Sequence, residues 1–361
     1  MTNNITISLC MIVKNEESVI ERCITSIESV VDEIIVVDTG SDDSTRELAA
    51  NISTKVKVFE FEWCDDFSEA RNYSFAKATK EYIMWLDADD IIKEMDSKKI
   101  KELKQNFDKD IDAVNMIYEL GEDEEGNTLY SLRRNRIVKR EKNFKWVGKI
   151  HEYLDVYGNI LNSDICVSHK KEKHHNKRNL NIFENMIKNG EILSERDMFY
   201  YANELFYNKR YDEAIEEYNN FINMENAWGE DIQIALKNMS ECYIYIGDDS
   251  GEINSLIKSF KYGVPRSDFC CGIGYYFLKK NKFNEAIFWY ELALNIKPRK
   301  ETLNIINHST YTWLPAIQLC VCYAKRGEYE KSNYYNELAA KYIPNNDMVI
   351  YNRDYLKDKL S

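Results

Sequence analysis

The first half of the chain alternates short unbroken apolar runs with stretches whose apolar residues recur at helical spacing, and the two periods predict different elements. Ile5 to Val13 and Glu33 to Asp38 are continuous and rich in β-branched residues, as buried strands are. Between them Val19, Ile20, Cys23, Ile24, Ile27 and Val30 mark one face of a helix, whose start is placed at an Asn15 cap. Strand, helix and strand in this order make a βαβ unit, right-handed by rule. Lys55 to Phe61 alternates as a third strand, Glu69 to Thr79 reads as a helix, and Lys80 to Leu86 runs apolar until it stops on Asp87, Asp89 and Asp90. The expected sheet is mostly parallel. Its carboxyl edge, where open α/β folds keep their ligands, would carry Asp38 and the Asp87–Asp89 pair. Beyond it come a Lys-rich helix over Ile91 to Phe107, a strand over Ile111 to Glu119, an acidic turn from Glu122 to Asn127, and a short strand from Ile165 to His169.

From about Arg196 the strand pattern gives way to helical periodicity rich in Tyr, Ala and Asn. Tyr200 to Phe206 followed by Tyr211 to Tyr218 recurs as Gly274 to Leu278 followed by Phe283 to Tyr290. The two copies stand about two ~34-residue helix pairs apart, the period of tetratricopeptide arrays. A further copy runs from Leu319 to Pro344, the copy around Met239 to Gly247 is degenerate, and Lys297 to Tyr311 reads as an insertion. The small residues of each copy let paired helices approach, and the aromatic ones fill the gap. As a whole such an array offers a concave surface for extended peptides. The expected organisation is an α/β domain over 1–193 and an all-α helical repeat domain over 194–361.

Composition narrows the function. A chain of 361 residues exceeds one ordinary core, and 44% hydrophobic with 30% charged residues describes a globular protein with much to bury. A net charge of −13 and a pI near 5.1 argue against a nucleic-acid partner. The nine cysteines show no CxxC spacing, so reduced thiols in a cytoplasm are expected rather than a zinc site or a disulfide framework. No apolar run reaches the ~18 residues of a spanning helix, and the N-terminus lacks the pattern of a signal peptide.

Two carboxylates one residue apart at a strand end suit a hard divalent cation, Mg²⁺ or Mn²⁺, which could hold a diphosphate. The plain alternative is a strand followed by a polar turn. Asp38 could accept hydrogen bonds from a base or ribose. Neither GxGxxG nor GxxxxGK[ST] is present, which removes the main support for dehydrogenase and P-loop readings. Arg133, Arg134, Arg136, Lys139 and Arg140 make Ser131 to Arg140 strongly basic, either as a polar strand facing water or as charge for a departing diphosphate. Trp146 to Glu152 sets His151 and Glu152 near an aromatic residue, a combination open to base catalysis or to a core histidine beside a surface glutamate.

Taken together, Met11 to Glu16, Val36 to Thr45, Ala70-Arg71-Asn72 and Trp85 to Asp89 resemble, in order and spacing, the family-2 glycosyltransferases of GT-A fold over about the first 170 residues. The resemblance implies an inverting transferase that uses a nucleotide-diphosphate sugar, usually a UDP-sugar, with Mn²⁺ or Mg²⁺. It implies donor contacts at Asp38, Asn15, Glu16, Ser41, Asp43, Arg71, Asp87 and Ala88. It implies metal ligands at Asp87, Asp89 and His169, the imidazole favouring Mn²⁺. Relatives carry a similar Trp-x-Gly-x-x-His-Glu, which makes Glu152 the first candidate base and His151 the second. Thr39 departs from the pattern, since many relatives have a second Asp there. With the repeats, the arrangement is similar to bacterial peptide and protein glycosyltransferases, including bacteriocin S-glycosyltransferases. The expectation is therefore transfer of a hexose from a UDP-sugar to Ser, Thr or Cys of a polypeptide held by the repeats, with a homodimer left open. One alternative acceptor is a cell-envelope saccharide or lipid carrier. Another reading is a repeat scaffold with an inactive transferase domain, which the intact Asp38, Asp87, Asp89, Glu152 and His169 speak against.

Overall fold

The apolar runs fold as β1 (Ile7–Val13), β2 (Glu33–Asp38), β3 (Val56–Glu60) and β4 (Tyr82–Trp85), interleaved in the chain with α1 (Ile20–Ile27), α2 (Thr45–Ile52) and α3 (Phe67–Lys77). They are continuous because both sheet faces are covered. Ile7, Leu9 and Met11 pack with Ile34, Val36, Tyr82 and Met84 in one core, together with Ile20, Cys23, Ile24 and Ile27 of α1. The alternate residues Cys10, Ile35, Val37, Ile83 and Trp85 form the opposite core with Phe75 of α3. The computed structural model describes residues 4–170, 177–298 and 304–360. The chain forms two compact units, one of Met1–Gly121, Ser131–Asn176 and Glu301–Asn304, the other of Glu122–Tyr130, Lys177–Lys300 and Ile305–Ser361.

The chain continues through β5 (Asp90–Ile91), α4 (Glu94–Gln105), β6 (Ala113–Glu122), β7 (Thr128–Lys139), β8 (Trp146–Val147), β9 (Tyr153–Leu154) and β10 (Ile160–His169). The main sheet runs β3-β2-β1-β4-β7-β6-β10-β5. Strands β1 to β4 pair in parallel, β7 is antiparallel to β4, and β10 is parallel to β6 but antiparallel to β5. Val13 stands opposite Asp38, and Asp38 opposite Glu60, so these strands end together on the carboxyl edge. The expected α/β GT-A class with all-α repeats after it is the class found.

Three local readings need correction. Asn15 does not cap α1: it sits at φ 56°, and the cap position is Val19. Its side chain instead accepts from the Asp42 amide at 3.0 Å, while its own amide donates to Ser41 Oγ at 2.9 Å, tying the loops after β1 and β2. Asp90 and Ile91 are a strand, and the helix starts only at Glu94. Strand β7 is not simply a polar strand facing water, because Ser131, Leu132, Arg136, Ile137 and Val138 are buried.

The second unit contains α5 (Arg178–Lys188), α6 (Glu195–Tyr207), α7 (Tyr211–Ile222), α8 (Gly229–Ile246), α9 (Asp249–Lys258), α10 (Ser267–Lys279), α11 (Phe283–Asn295), β11 (Ile306–Asn307), α12 (Trp313–Lys325), α13 (Tyr329–Ala340) and α14 (Asp347–Leu360). The degenerate copy is a full pair, α8 with α9, and the insertion contains a two-residue strand and a 3₁₀ turn over His308–Tyr311. A capping box between Ser194 and Asp197 starts α6. Gly274 is required for packing: a Cβ there would lie 2.9 Å from the Tyr290 ring of α11. Asn203, Tyr218 and Asn238 link α6, α7 and α8 by buried hydrogen bonds of 2.6 to 3.1 Å. All nine cysteines are free thiols; Cys64 is exposed, Cys166 half-buried, and the rest are buried.

Candidate active site

Asp38 ends β2 almost wholly buried, at 1% exposure. Its Oδ1 accepts the backbone N–H groups of Gly40 and Ser41 at 3.0 and 2.8 Å, whereas its Oδ2 is buried with no hydrogen-bond partner. An unpaired buried carboxylate oxygen is costly, and a donor from a ligand would satisfy it. The turn that follows is built by its own short side chains: Asp43 accepts from the Thr45 amide at 3.0 Å, and Thr45 Oγ1 accepts from the Glu16 amide at 2.7 Å. Asn15, Glu16, Ser41 and Asp43 therefore share one loop cluster beside Asp38.

The end of β4 divides its three carboxylates. Asp87, 34% exposed, receives Arg71 Nη2 at 2.8 Å, and the same guanidinium donates from Nε to Glu152 Oε1 at 2.5 Å. Arg71 is held over the rings of Trp85 and Trp146, 5.0 and 4.7 Å from their centroids, and those two rings meet edge to face at 4.8 Å. Asn72 fixes Trp146 from both sides of its peptide, at 3.0 and 2.9 Å. The expected site residues Arg71, Asp87 and Glu152 thus form one ion-paired group. Burial opposes the charge of Asp87, but the charges of Arg71 and Arg136 hold its carboxyl below the ordinary aspartate value. Burial likewise opposes the Arg71 charge, and Asp87 and Glu152 outweigh it, raising the guanidinium. His151 precedes Glu152 with φ 51°, and Ala88 is buried in the core.

Asp89 and His169 come together because β10 lays His169 opposite Asp90 of β5. His169 Nδ1 lies 3.3 Å from Asp89 Oδ1 and 3.4 Å from Asp90 Oδ1. Asp89, Asp90 and His169 each offer a ligand atom within 4.8 Å of the others. Two carboxylates and an imidazole are a donor set that fits Mn²⁺. Burial works against a charged imidazole, yet hydrogen bonds to Asp89 and Asp90 push His169 up to about 9. Asp87, expected as a ligand, is not in this cluster. Asp90 is, although it is fully buried and ion-paired to Arg136 Nη1 at 3.1 Å.

Sequence reasoning singled out neither Asp90 nor Tyr118 as site residues, and read Arg136 only within a basic stretch. Arg136 lies 3.8 Å from the Trp85 centroid and 4.4 Å from that of Tyr118, wholly buried. Its position in β7 beside buried Ile137 was the available signal. His174 and His175, which follow His169 in the chain, lie outside the described residues.

Residues 8–158 match the family model described as Glycosyl transferase family 2. A TPR repeat-containing protein of Synechococcus elongatus is 36% identical over 149 residues, covering 41% of this chain and 35% of its own length. The SPbeta prophage-derived glycosyltransferase SunS of Bacillus subtilis is 30% identical over 230 residues, covering 60% of this chain and 53% of its own. An uncharacterized glycosyltransferase of Rickettsia typhi is 33% identical over 84 residues, covering 23% of this chain and 28% of its own. The chain spans about half, or less, of the curated relatives it matches. No helix among the described residues is long and apolar enough to cross a membrane. With the strand-end carboxylates in place, the segment from Ser8 to Gly158 is similar to glycosyl transferase family 2, and a run of paired helices, α6 with α7 to α12 with α13, follows it in the same chain.

Proposed function

We propose that the protein is a metal-dependent, inverting glycosyltransferase that moves a hexose from a UDP-sugar to Ser, Thr or Cys of a polypeptide. The observation that carries the reading is that one sheet edge holds both a buried acceptor without a partner, Asp38 Oδ2, and a carboxylate–imidazole pair suited to a cation, Asp89 with His169. Asp38 accepts the donor base or ribose, with Asn15, Glu16, Ser41 and Asp43 shaping the loop around it. Asp89 and His169 hold the cation. That ion supplies neutralisation of the charge that builds on the leaving diphosphate. Asp87 and Ala88 line the donor beside them.

Glu152 takes the proton of the acceptor as its oxygen or sulfur attacks the anomeric carbon opposite the leaving diphosphate. Arg71 fixes the carboxylate through Oε1, which leaves Oε2 for the proton, and His151 is the neighbouring second candidate. The working division of the chain falls near 193/194: chemistry before it, and repeats that hold the polypeptide after it.

The test is calorimetry and transfer assays with a panel of nucleotide sugars, with and without Mn²⁺. UDP-sugar binding that depends on Mn²⁺ is expected, and Glu152→Gln should keep that binding while transfer falls by ~10²-fold. A thiol acceptor would narrow that fall, since thiols are partly ionised near neutral pH. Full turnover in excess chelator, or no nucleotide binding at all, refutes the reading.

A further inference from the structure

Tyr118 enters the carboxylate–imidazole cluster from β6 without being one of its candidate ligands. Its hydroxyl donates to Asp90 Oδ1 at 2.8 Å and lies 2.9 Å from His169 Nδ1. A hydroxyl has a single proton. With that proton given to Asp90, the Tyr118 oxygen can only accept from His169, so Nδ1 must carry the hydrogen. The other neighbours agree, since Asp89 Oδ1 at 3.3 Å and Asp90 Oδ1 at 3.4 Å are also acceptors. Asp90 cannot easily turn away. Its Oδ2 receives the Asp87 amide at 3.0 Å and faces Arg136 Nη1 at 3.1 Å, and Arg136 is itself wedged between the Trp85 and Tyr118 rings.

We propose that Tyr118, anchored through Asp90 to Arg136, is a positioning residue that fixes His169 as the Nδ1–H tautomer and leaves Nε2 as the nitrogen that binds the divalent cation. The proposal rests on His169 being a ligand. The nitrogen that binds a metal is set by the hydrogen bond of the other, and partners of that kind change metal affinity by ~10–100-fold when removed. Tyr118→Phe is the mildest probe, because it keeps the ring under Arg136 and deletes only the hydroxyl.

The experiment follows Mn²⁺ binding to the full-length protein by electron paramagnetic resonance, in wild type, Tyr118→Phe and His169→Ala. Expected is a clear loss of affinity in His169→Ala and a loss of about tenfold in Tyr118→Phe. In parallel, histidine ¹⁵N spectra of the wild type with Zn²⁺ as a diamagnetic probe should show His169 bound through Nε2 with Nδ1 protonated. Tyr118→Phe with lowered thermal stability but wild-type Mn²⁺ affinity overturns the positioning role, as does metal on Nδ1. Equal Mn²⁺ binding by wild type and His169→Ala overturns the ligand reading, and this proposal with it. If Tyr118→Phe fails to fold, the wild-type spectrum alone decides which nitrogen binds.

Discussion

The two ends of β2 carry one carboxylate each, and they are treated in opposite ways. Glu33, at the amino end, is saturated: Ser8 Oγ, Lys57 Nζ, the Thr79 amide and Thr79 Oγ1 all reach it within 3.1 Å. Asp38, five residues on at the carboxyl end, is equally buried, yet one of its oxygens has no partner. Burial alone therefore does not separate structure from function here. The two carboxylates of β2 differ in the count of satisfied oxygens, and an open buried acceptor at a strand end is a place for a ligand's donor. Within the repeats Asn203, Tyr218 and Asn238 close on one another between neighbouring helices, whereas Glu252, paired to Lys279 through Oε2, keeps a buried Oε1 without a partner.

The comparison can be broken most sharply at the carboxyl edge. Asp89→Asn should lower transfer by ~10³-fold with little change in thermal unfolding, as expected when charge stabilisation of a leaving diphosphate is lost. A comparable loss of stability would make Asp89 a structural group like Glu33. Glu33→Gln should do the reverse, unfolding more easily by about 3 kcal/mol near neutral pH while nucleotide affinity is unchanged. Burial opposes the Glu33 charge, but Lys57, Thr79 and Ser8 bring it down to about 2 from 4.5. Because the folded value is the lower one, this stabilisation is complete above 4.5 and is lost as pH falls toward 2. Denaturant titrations across that window should show the wild-type and Glu33→Gln curves converging; a constant gap would refute the assignment. The smallest expected effect is Asp38→Asn, with about tenfold weaker nucleotide binding by calorimetry and an unchanged melting point.

Much of this was legible in the sequence wherever one strong period ruled. The runs of β1, β2 and β4 are apolar on both faces and could be little else, and the aromatic–small pattern at Gly274 and Tyr290 announced a close helix pair. What escaped were features fixed by tertiary contact. Asp90–Ile91 is too short to show a period, and becomes a strand only because the end of β10 lies against it. Arg136 reads as solvent-facing by composition, and its burial depends on two rings and a carboxylate distant in the chain. Asn15 is a common cap residue, but its left-handed backbone turns it toward Ser41 and Asp42 instead. The spacing of Asp87 and Asp89 made them look equivalent, and only the fold gives Arg71 to one and His169 to the other.

The free thiols turn the molecule into its own reporter of opening. Cys10 and Cys23 are shut inside the sheet unit, while Cys242, Cys270, Cys271, Cys320 and Cys322 are shut among the repeat helices. Burial pushes the Cys10 and Cys271 thiols well up, so they are unreactive while folded. An alkylating reagent applied under mild denaturant will mark Cys64 at once and the buried sets only as their own unit opens. Peptide mass spectrometry then separates the two lifetimes, and shows whether the sheet unit and the helical unit come apart as one cooperative body or in turn.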